Sequence, residues 1–358
     1  MNVRSPYLWN AANAGSKPRR ASAPQRARGM FIWVAALVWF ATSLATADVR
    51  AGGCETRPQD EIWLVSSRHV GCVTSGADPD LRVQRYQPGS GWQAAQLNEL
   101  WQPASPDQVT VIFVHGNRVS SSDVIPEGRQ VYQILVGRAN VAPPVRFVIW
   151  SWPSEQIRGQ LRDVREKAER TELAGYCLGW LLTRLPENQR VSLLGYSFGA
   201  RIATGAMHLV GGGELAGRVL PAHPVASPNT HLVTIAGALH NGWLRPGGYH
   251  EQALTHLDHF LNLYNCCDPV LKRYHALYKH SHAVALGYAG MSTRDLGPEA
   301  DRIEQVDVCQ YVAHSHELLD YLHSACLDER IRSVLFWSPE SDNLASAQPN
   351  QVATDAAR

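Results

Sequence analysis

One serine of the sequence stands between two glycines at a spacing that could serve nucleophilic chemistry. Residues 195–199 read Gly-Tyr-Ser-Phe-Gly, so Ser197 has a glycine two positions before it and another two positions after it. A serine hydroxyl attacks a carbonyl carbon when a nearby base takes its proton and hydrogen-bond donors stabilise the oxyanion that forms. The same pattern can occur in a small-residue turn without chemistry, so its structural context decides between the two interpretations.

The segments on either side of Ser197 favour the catalytic interpretation. The stretch 190–195 (RVSLLG) is a short apolar run that predicts a strand, and helical spacing follows Gly199, with apolar residues at 200, 203, 207 and 210. We therefore expect Ser197 at a tight strand-to-helix turn. Glycines at 195 and 199 would relieve the crowding of that turn, and the N-terminus of the following helix favours negative charge.

A second oxyanion donor is expected at the end of an upstream strand. The β-branched run 108–116 (QVTVIFVHG) predicts a buried strand that ends in a His-Gly pair. We assign one donor to the N–H of Phe198 and the other to the N–H of Asn117, because Gly116 lets the backbone approach the serine closely. His115 precedes the serine, whereas the base is expected after it, so we interpret His115 as structural.

Asp268 is the favoured candidate for the acid that orients the base. It lies just past the apolar run 260–265 (FLNLYN), at the edge of the predicted sheet where the other candidates gather. The pair Asp-Pro is also a good helix start, and one residue can both cap a helix and orient a base. The weaker candidates lie on the wrong edge or in a polar loop; they are Asp258, Asp295 and Asp301.

His316 is the favoured base, and His314 is the alternative. His316 stands immediately before the helical stretch ELLDYL, and His314 lies two residues earlier in the same loop. Both follow a further predicted strand at 302–308, in the chain order serine, acid, histidine. His323 falls within the helix, so we expect it to be packed or solvated.

Strand-like and helical stretches alternate after residue 47. The clearest helix spans about 157–185 and ends before Pro186. Strands are predicted at 61–68, 108–116, 145–152, 190–195, 231–237, 260–265 and 302–308. This alternation, with continuous apolar strands, predicts an α/β fold with a mostly parallel sheet and helices on both faces.

Together these segments resemble the α/β-hydrolase family over roughly residues 105–325. Three blocks carry the resemblance and look like a bacterial branch of that family; they are 114–117 (VHGN), 150–154 (WSWPS) and 195–200 (GYSFGA). The resemblance implies an α/β-hydrolase fold, with Ser197 as nucleophile, Asp268 as acid and a histidine before the last helix as base. It implies a serine hydrolase without a cofactor.

The chemistry expected from these residues is hydrolysis of a carboxylic ester or related acyl bond through an acyl-enzyme, in the EC 3.1 class. The partner would be a small-molecule acyl substrate. The same residues also fit two other functions. An acyltransferase shares the same serine turn, and a non-catalytic binding protein can use the same scaffold, because one fold hosts many functions.

The charge of the chain is unevenly distributed. The net charge is +1, but residues 1–29 carry six basic residues and no acidic one, which leaves the remainder at −5. A mildly acidic folded part argues against nucleic acid as the main partner.

Residues 1–47 read as a targeting segment. A basic stretch precedes the apolar run 30–44, and Ala-Thr-Ala follows at 45–47, which predicts a cleaved signal peptide and a protein exported to the periplasm or the extracellular space. The alternatives are an uncleaved anchor, with membrane association through residues 30–47, and a lipid on Cys54. We expect the hydrolase domain at 48–339, with a cap or variable loop region at 240–290, and a disordered tail at 340–358.

Seven cysteines fit an exported protein that carries disulfides, but the sequence does not determine their pairing. An odd number leaves at least one thiol without a partner in the chain, and we interpret Cys177 as a buried apolar residue. The histidines at 250, 256 and 259 and at 275, 280 and 282 match no strong zinc template, so no metal is expected.

Overall fold

The computed structural model describes residues 56–102, 105, 107–137, 143–187, 189–221, 229–277 and 282–337. The predicted signal peptide at 1–47, Cys54 and the predicted tail at 340–358 lie outside these ranges. Within them, the helices are all too short or too polar to cross a membrane.

The described residues form a nine-stranded sheet with the order β3-β2-β1-β5-β4-β6-β7-β8-β9. All neighbouring strands from β1 through β9 along this order run parallel, while β2 and β3 are antiparallel additions at one edge. The strands are β1 (Glu61–Ser66), β2 (Arg82–Gln87), β3 (Gly91–Ala95), β4 (Val109–Val114), β5 (Val145–Ser151), β6 (Arg190–Tyr196), β7 (Thr230–Ile235), β8 (His259–Tyr264) and β9 (Ile303–Asp307).

Helices connect the strands. In chain order they are α1 (Leu97–Leu100), α2 (Val124–Tyr132), α3 (Gln160–Leu182), α4 (Phe198–Val210), α5 (Leu286–Ala289), α6 (Cys309–Val312), α7 (Leu318–His323) and α8 (Ala325–Leu335). A π-helical turn at Gln133–Gly137 continues α2, and 3₁₀ turns lie at Glu251–Leu254, Leu271–Leu277 and Gly297–Arg302.

The helices cover both faces of the sheet. On one face, the Ser192 hydroxyl of β6 donates to the carbonyl of Leu335 in α8, at 2.8 Å. Gly195 lies three residues further along β6 and so faces the other side of the sheet, toward α4, where an added Cβ would lie 2.7 Å from the Cα of Ala200. Because successive side chains of a strand point to opposite faces, α8 and α4 lie on opposite sides of β6.

The strands near the centre of the sheet are buried along their whole length. All six residues of β4 and all seven of β5 are buried, which suits parallel strands covered on both faces. This accounts for their continuous apolar sequences. At the carboxyl ends of these parallel strands the chain leaves the sheet at one common edge, where polar side chains can meet.

The predicted α/β fold is confirmed. The seven predicted strands correspond to β1, β4, β5, β6, β7, β8 and β9, and the helix predicted at about 157–185 corresponds to α3. Apolar runs do not indicate β2 and β3, because both strands are partly exposed, β2 is rich in polar residues and β3 has only five residues. The mostly parallel sheet, helices on both faces and a strand-turn-helix at Ser197 make this an α/β-hydrolase fold.

Candidate active site

Ser197 occupies the tight turn between β6 and α4. Its backbone has φ 53° and ψ −115°, a left-handed conformation that costs a non-glycine residue about 1–3 kcal/mol. The end of β7 and the residues after it hold this conformation, because the Ser197 N–H donates to the Ile235 carbonyl at 2.9 Å and the Ser197 carbonyl accepts from the Ala238 N–H at 3.0 Å. The turn therefore projects the serine side chain from the carboxyl edge of the sheet.

The two flanking glycines are required by close backbone contacts. A Cβ on Gly199 would lie 1.9 Å from the carbonyl oxygen of Val114, and one on Gly195 would lie 2.8 Å from the nitrogen of Ala200. No side chain fits at either position without moving the backbone. The structure agrees with the sequence interpretation that these glycines relieve crowding at the turn.

The structure brings Ser197, His316 and Asp268 together. The Nε2 atom of His316 lies 3.2 Å from the Ser197 hydroxyl oxygen, and its Nδ1 atom lies 2.5 Å from Oδ2 of Asp268. His316 is therefore placed between a hydroxyl and a carboxylate, with one ring nitrogen toward each. Ser197 comes from the β6–α4 turn, Asp268 from the turn after β8 and His316 from the loop before α7.

Asp268 is fully buried, and both of its carboxylate oxygens have partners. Oδ2 faces His316, while Oδ1 accepts hydrogen bonds from the N–H groups of Val270 and Leu271 at 2.8 and 3.0 Å. Asp268 thus caps the 3₁₀ turn Leu271–Leu277 and contacts the histidine at the same time. One aspartate can therefore serve both uses, as the Asp-Pro pair in the sequence indicates.

The loop after β4 lies against the serine. A Cβ on Gly116 would lie 3.4 Å from Cβ of Ser197 and 2.8 Å from the ring of Tyr196. Among the described residues, neither the N–H of Asn117 nor the N–H of Phe198 has a hydrogen-bond acceptor. Backbone donors on this loop and at the start of α4 can therefore face a ligand that approaches Ser197.

A buried carboxylate anchors that loop. Asp163 of α3 accepts from the Asn117 amide at 3.2 Å, from the Arg118 guanidinium at 3.2 Å and from the Ile157 N–H at 2.7 Å. Burial raises the pKa of Asp163, but the hydrogen bonds from the Ile157 N–H and Arg118 and the charge of Lys167 lower it below its ordinary value. The carboxylate therefore stays charged and holds the loop by several bonds.

His115 lies apart from the serine and is engaged with the main chain. Its ring is fully buried and stacked on Trp152 with centroids 5.7 Å apart, and its Nδ1 lies 2.8 Å from the Gly116 carbonyl oxygen. Burial lowers the pKa of His115 to about 3. His115 is thus a neutral residue packed in the core, which agrees with the structural role predicted from the sequence.

The alternative candidates lie away from the Ser197 hydroxyl. His314 is exposed, with Nδ1 3.1 Å from the carbonyl oxygen of Cys267, and His323 is the exposed last residue of α7. Asp258 precedes β8 and accepts from the Thr230 N–H at the opposite edge of the sheet. Asp295 and Asp301 are exposed in the loop region before β9.

Two short segments carry the acid and the base, and they are joined by a disulfide whose pairing the sequence does not determine. We call residues 265–268 the acid turn and residues 313–317 the base loop. A disulfide between Cys267 and Cys309 ties the acid turn to α6, which leads into the base loop. The sulfur atoms of Cys266, Cys267 and Cys309 lie within 4.8 Å of one another, but the disulfide removes two of them as metal ligands.

Tyr196 and Asn265 also hold the base loop. The Tyr196 hydroxyl donates to the main-chain carbonyl of His316 at 2.6 Å, and the Asn265 amide donates to the carbonyls of Ala313 and Ser315. The only sequence signal for either residue is its place, Tyr196 immediately before the serine and Asn265 at the end of a predicted strand. Neither position in the sequence indicates a hydrogen bond to the base loop, which lies about fifty residues beyond Asn265 and about 120 beyond Tyr196.

Acidic side chains lie near the base loop. Burial, together with the charges of Asp123 and Glu317, raises the pKa of Glu127 in α2 to about 7. Burial and the charges of Glu317 and Glu127 raise the pKa of Tyr196 well above its usual range. The Tyr196 hydroxyl therefore stays protonated and remains a donor at physiological pH.

No protein-family model and no curated protein matches the sequence. Among solved structures, the chain is similar to an esterase B from Lactobacillus rhamnosis in complex with a C6-C4 SN3 inhibitor, with 14% identity and a TM-score of 0.34 over 82% of this chain and 92% of that one. It is also similar to the product of gene lin2722 from Listeria innocua, with 10% identity and a TM-score of 0.32 over 64% and 94%.

A third similar structure is a protein from Lactobacillus plantarum WCFS1 described as a cell surface hydrolase, with 13% identity and a TM-score of 0.31 over 67% of this chain and 96% of that one. At these identities and TM-scores, likeness does not indicate an activity.

Proposed function

We propose that the protein is a serine hydrolase that cleaves a carboxylic ester or a related acyl bond through an acyl-enzyme. One observation carries the proposal. The ring of His316 lies between the Ser197 hydroxyl, at 3.2 Å, and the buried Asp268 carboxylate, at 2.5 Å. This is the arrangement in which a histidine can take a proton from a serine while an acid orients its ring.

In the proposed first step, Nε2 of His316 takes the Ser197 proton while the serine oxygen attacks the substrate carbonyl carbon. A tetrahedral intermediate forms, and its collapse expels the leaving group, which takes the proton back from His316. The acyl group then remains on Ser197. In the second step, water loses a proton to His316 and attacks the acyl carbon. The tetrahedral intermediate then collapses, the carboxylic acid leaves, and the Ser197 oxygen takes the proton from His316.

Asp268 would act by holding one tautomer of His316. With Nδ1–H donating to Oδ2 of Asp268, Nε2 is left unprotonated and can accept the serine proton. The buried carboxylate also stabilises the imidazolium that forms in the transition state. Its hydrogen bonds from Val270 and Leu271 keep Oδ1 occupied, so that only Oδ2 faces the ring.

The oxyanion would be stabilised by the N–H groups of Phe198 and Asn117. Phe198 is the first residue of α4, so its N–H belongs to a helix N-terminus that favours negative charge. Asn117 lies on the loop that Gly116 brings against Ser197. Preorganised backbone donors of this kind contribute about 3–4 kcal/mol each to transition-state stabilisation.

The experiment that tests the proposal compares Ser197→Ala with the wild type on a panel of acyl esters of graded chain length, with fluorophosphonate labelling of the active site. We expect Ser197→Ala to lose both hydrolysis and labelling. Ser192→Ala is the matched control, because Ser192 lies buried on the same strand but bonds to Leu335 on the opposite face from α4. Unchanged hydrolysis in Ser197→Ala would refute the proposal.

A second pair of variants assigns the base. We expect His316→Ala to lose at least a thousandfold in kcat, since removal of a triad member leaves only the binding and oxyanion contributions. His314→Ala should stay within about threefold of the wild type, because its ring lies in solvent and contacts a carbonyl of Cys267. The reverse result would make His314 the base.

The same panel separates the two competing functions. An acyltransferase would label with the fluorophosphonate but transfer the acyl group to an alcohol or amine acceptor faster than to water. A binding protein would neither label nor turn over. The spacing of Ser197, His316 and Asp268 favours an enzyme, because a binding scaffold has no need for a histidine aligned with both partners.

We also propose that the enzyme is exported and acts on small acyl substrates. The Cys267–Cys309 disulfide supports this, since disulfides persist in oxidising compartments outside the cytosol. Fractionation of cells that express the full chain, with N-terminal sequencing of the product, distinguishes a cleaved signal peptide from an anchor at residues 30–47.

A further inference from the structure

Asn265 is a fully buried amide at the point where β8 ends and the acid turn begins. Its side-chain Nδ2 donates two hydrogen bonds across to the base loop, to the carbonyl of Ala313 at 2.8 Å and to the carbonyl of Ser315 at 2.9 Å. Both carbonyls precede His316 by one to three residues. A single amide group therefore contacts the loop on either side of His314.

The same residue also holds the acid turn. Oδ1 of Asn265 accepts from the N–H of Cys267 at 2.9 Å, and its main-chain carbonyl accepts from the N–H of Asp268 at 3.1 Å. Its own N–H donates to the carbonyl of Gly287 in α5 at 2.9 Å, which fixes the residue to that helix. The side chain of Asn265 thus joins the two segments, with Nδ2 bonded to the base loop and Oδ1 bonded to the acid turn.

An amide is the side chain that suits this position. It offers two N–H donors on one side and an acceptor on the other, which matches two carbonyls of the base loop and one N–H of the acid turn. A carboxylate of the same shape would place an acceptor against two carbonyl oxygens. Buried groups without partners are costly, so this match constrains how the two segments meet.

The base loop needs such a restraint. Ala313 has φ 50°, a left-handed conformation that a non-glycine residue adopts at a cost, and it lies three residues before His316. The His316 ring must meet Ser197 at 3.2 Å and Asp268 at 2.5 Å simultaneously. Such a backbone conformation is kept only where hydrogen bonds from outside the loop hold it, and the two bonds from Asn265 to the loop carbonyls do so here.

We propose that Asn265 is a positioning residue that sets the distance between His316 and Asp268 by clamping the base loop to the acid turn. The inference rests on the proposed function, because it assigns Asn265 a part in the alignment of that same site. Asn265 touches neither the serine nor a substrate position. Its effect is exerted through the place of the His316 ring, and a displacement of about 1 Å in such a group can lower turnover about a hundredfold.

The test compares Asn265→Asp with the matched control Asn262→Asp. Asn262 is an equally buried amide three residues earlier on β8, and its side chain bonds to Thr234 and Gln305 rather than to the base loop. Both variants put a carboxylate in place of a buried amide, so both should lower the melting temperature. Only Asn265→Asp should alter the contact between His316 and Asp268.

Three readouts are measured for each variant, namely the melting temperature, kcat and KM on the best ester of the panel, and the far-downfield proton NMR resonance of the hydrogen shared by His316 and Asp268. For Asn265→Asp we expect a 10- to 100-fold loss of kcat, KM within about twofold, and loss or broadening of the resonance. Asn262→Asp should keep kcat and the resonance at a similar melting temperature.

Two results would overturn the inference. One is an Asn265→Asp protein that keeps both kcat and the resonance, and the other is an Asn262→Asp protein that loses them to the same extent. If Asn265→Asp fails to fold, Asn265→Ser is measured instead, since serine retains one donor and should give an intermediate loss. If the wild type hydrolyses no ester, the proposed function fails, but the resonance still reports whether Asn265 aligns His316 with Asp268.

Discussion

The hydroxyl of Tyr196 donates a hydrogen bond of 2.6 Å to the main-chain carbonyl of His316. The residue before the candidate nucleophile is thereby attached to the candidate base, across 120 residues of sequence. The ring of Tyr196 also packs beside the ring of His316, with centroids 5.6 Å apart, and against Gly116 of the loop after β4. One side chain thus contacts the loop of the proposed oxyanion donors and the base loop.

Tyr196→Phe should lower kcat about tenfold and leave KM nearly unchanged. The phenylalanine keeps the ring contacts but leaves the His316 carbonyl without its donor, which costs about 1–3 kcal/mol for a buried group and loosens the loop. Kinetics on the best ester and the melting temperature are the measurements. Tyr176→Phe is the matched control, because the buried Tyr176 hydroxyl also donates to a main-chain carbonyl, that of Ala77 at 2.7 Å. Equal loss of kcat in both variants would contradict a specific role for Tyr196.

Asp268→Asn should lower kcat by about 10³- to 10⁴-fold while the protein stays folded. The amide oxygen can still accept from the N–H groups of Val270 and Leu271, so the turn is preserved. Its NH₂ group then faces Nδ1 of His316, which must become an acceptor, and Nε2 carries the proton and cannot act as a base.

The control for this variant is Asp258→Asn. Asp258 also accepts a main-chain hydrogen bond, from the Thr230 N–H at 3.1 Å, but it lies at the opposite edge of the sheet. Its kcat should remain within about threefold of the wild type. Activity lost in Asp258→Asn and kept in Asp268→Asn would reverse the assignment of the acid. Steady-state kinetics and circular dichroism of both proteins are sufficient to distinguish these results.

The strands that the sequence predicts most directly are those buried on both faces, whereas β9, also predicted, is a half-buried edge strand. Continuous apolar runs such as those of β4 and β5 indicate parallel strands, because such strands have no solvent-facing side. The strands β2 and β3 lack this signal. They lie at the edge, carry polar residues at partly exposed positions, and are held by antiparallel pairing with β1, which no local pattern reveals.

The candidate site could be predicted as a set of residue types in chain order, but not as a geometry. Strand ends locate Ser197 and Asp268, since parallel strands place their carboxyl ends at one edge. From the sequence, His314 and His316 are both candidates for the base. They lie two residues apart in a loop, and a loop has no hydrophobic periodicity that could tell which of them faces Ser197. The structure places His316 at the serine, and the contacts that determine this, from Tyr196 and Asn265, are long-range.

Removal of the Cys267–Cys309 disulfide should destabilise the protein and lower its activity. The bond closes a loop of 42 residues, and loss of such a cross-link costs about 2–5 kcal/mol of unfolding free energy. The double variant Cys267→Ser/Cys309→Ser should melt at a lower temperature than the wild type. A reducing agent should lower the melting temperature of the wild type toward that of the variant and leave the variant unchanged.

Cys326→Ser is the control for the disulfide, because Cys326 is an exposed free cysteine at the start of α8. Its melting temperature and its response to the reducing agent should match the wild type. A reducing agent without effect on the wild type would contradict a stabilising role for the bond. Kinetics on the same samples show whether the acid turn depends on the bond for its alignment.

Buried neutral histidines should make the protein less stable as the pH falls below neutrality. Burial lowers the pKa of His115 to about 3 and that of His231 to about 4, whereas an unfolded histidine titrates near 6.5. Between the folded and unfolded pKa values the unfolded chain binds more protons. Their contribution to stability is therefore fully present above about pH 6.5 and is lost at about 1.4 kcal/mol per pH unit for each histidine as the pH falls toward 4.

Urea unfolding between pH 7.5 and 5 measures the net slope, to which Glu127, with its pKa raised to about 7, contributes with the opposite sign. His231→Asn assigns the part of the slope that comes from His231. The Nδ1 atom of His231 lies 2.9 Å from the Val334 carbonyl oxygen, and asparagine can place an N–H donor at the same point without titrating. Its slope should be smaller than that of the wild type by about one proton. His323→Asn, at an exposed position, should keep the wild-type slope, so a slope unchanged in His231→Asn would show that His231 is not a source of the pH dependence.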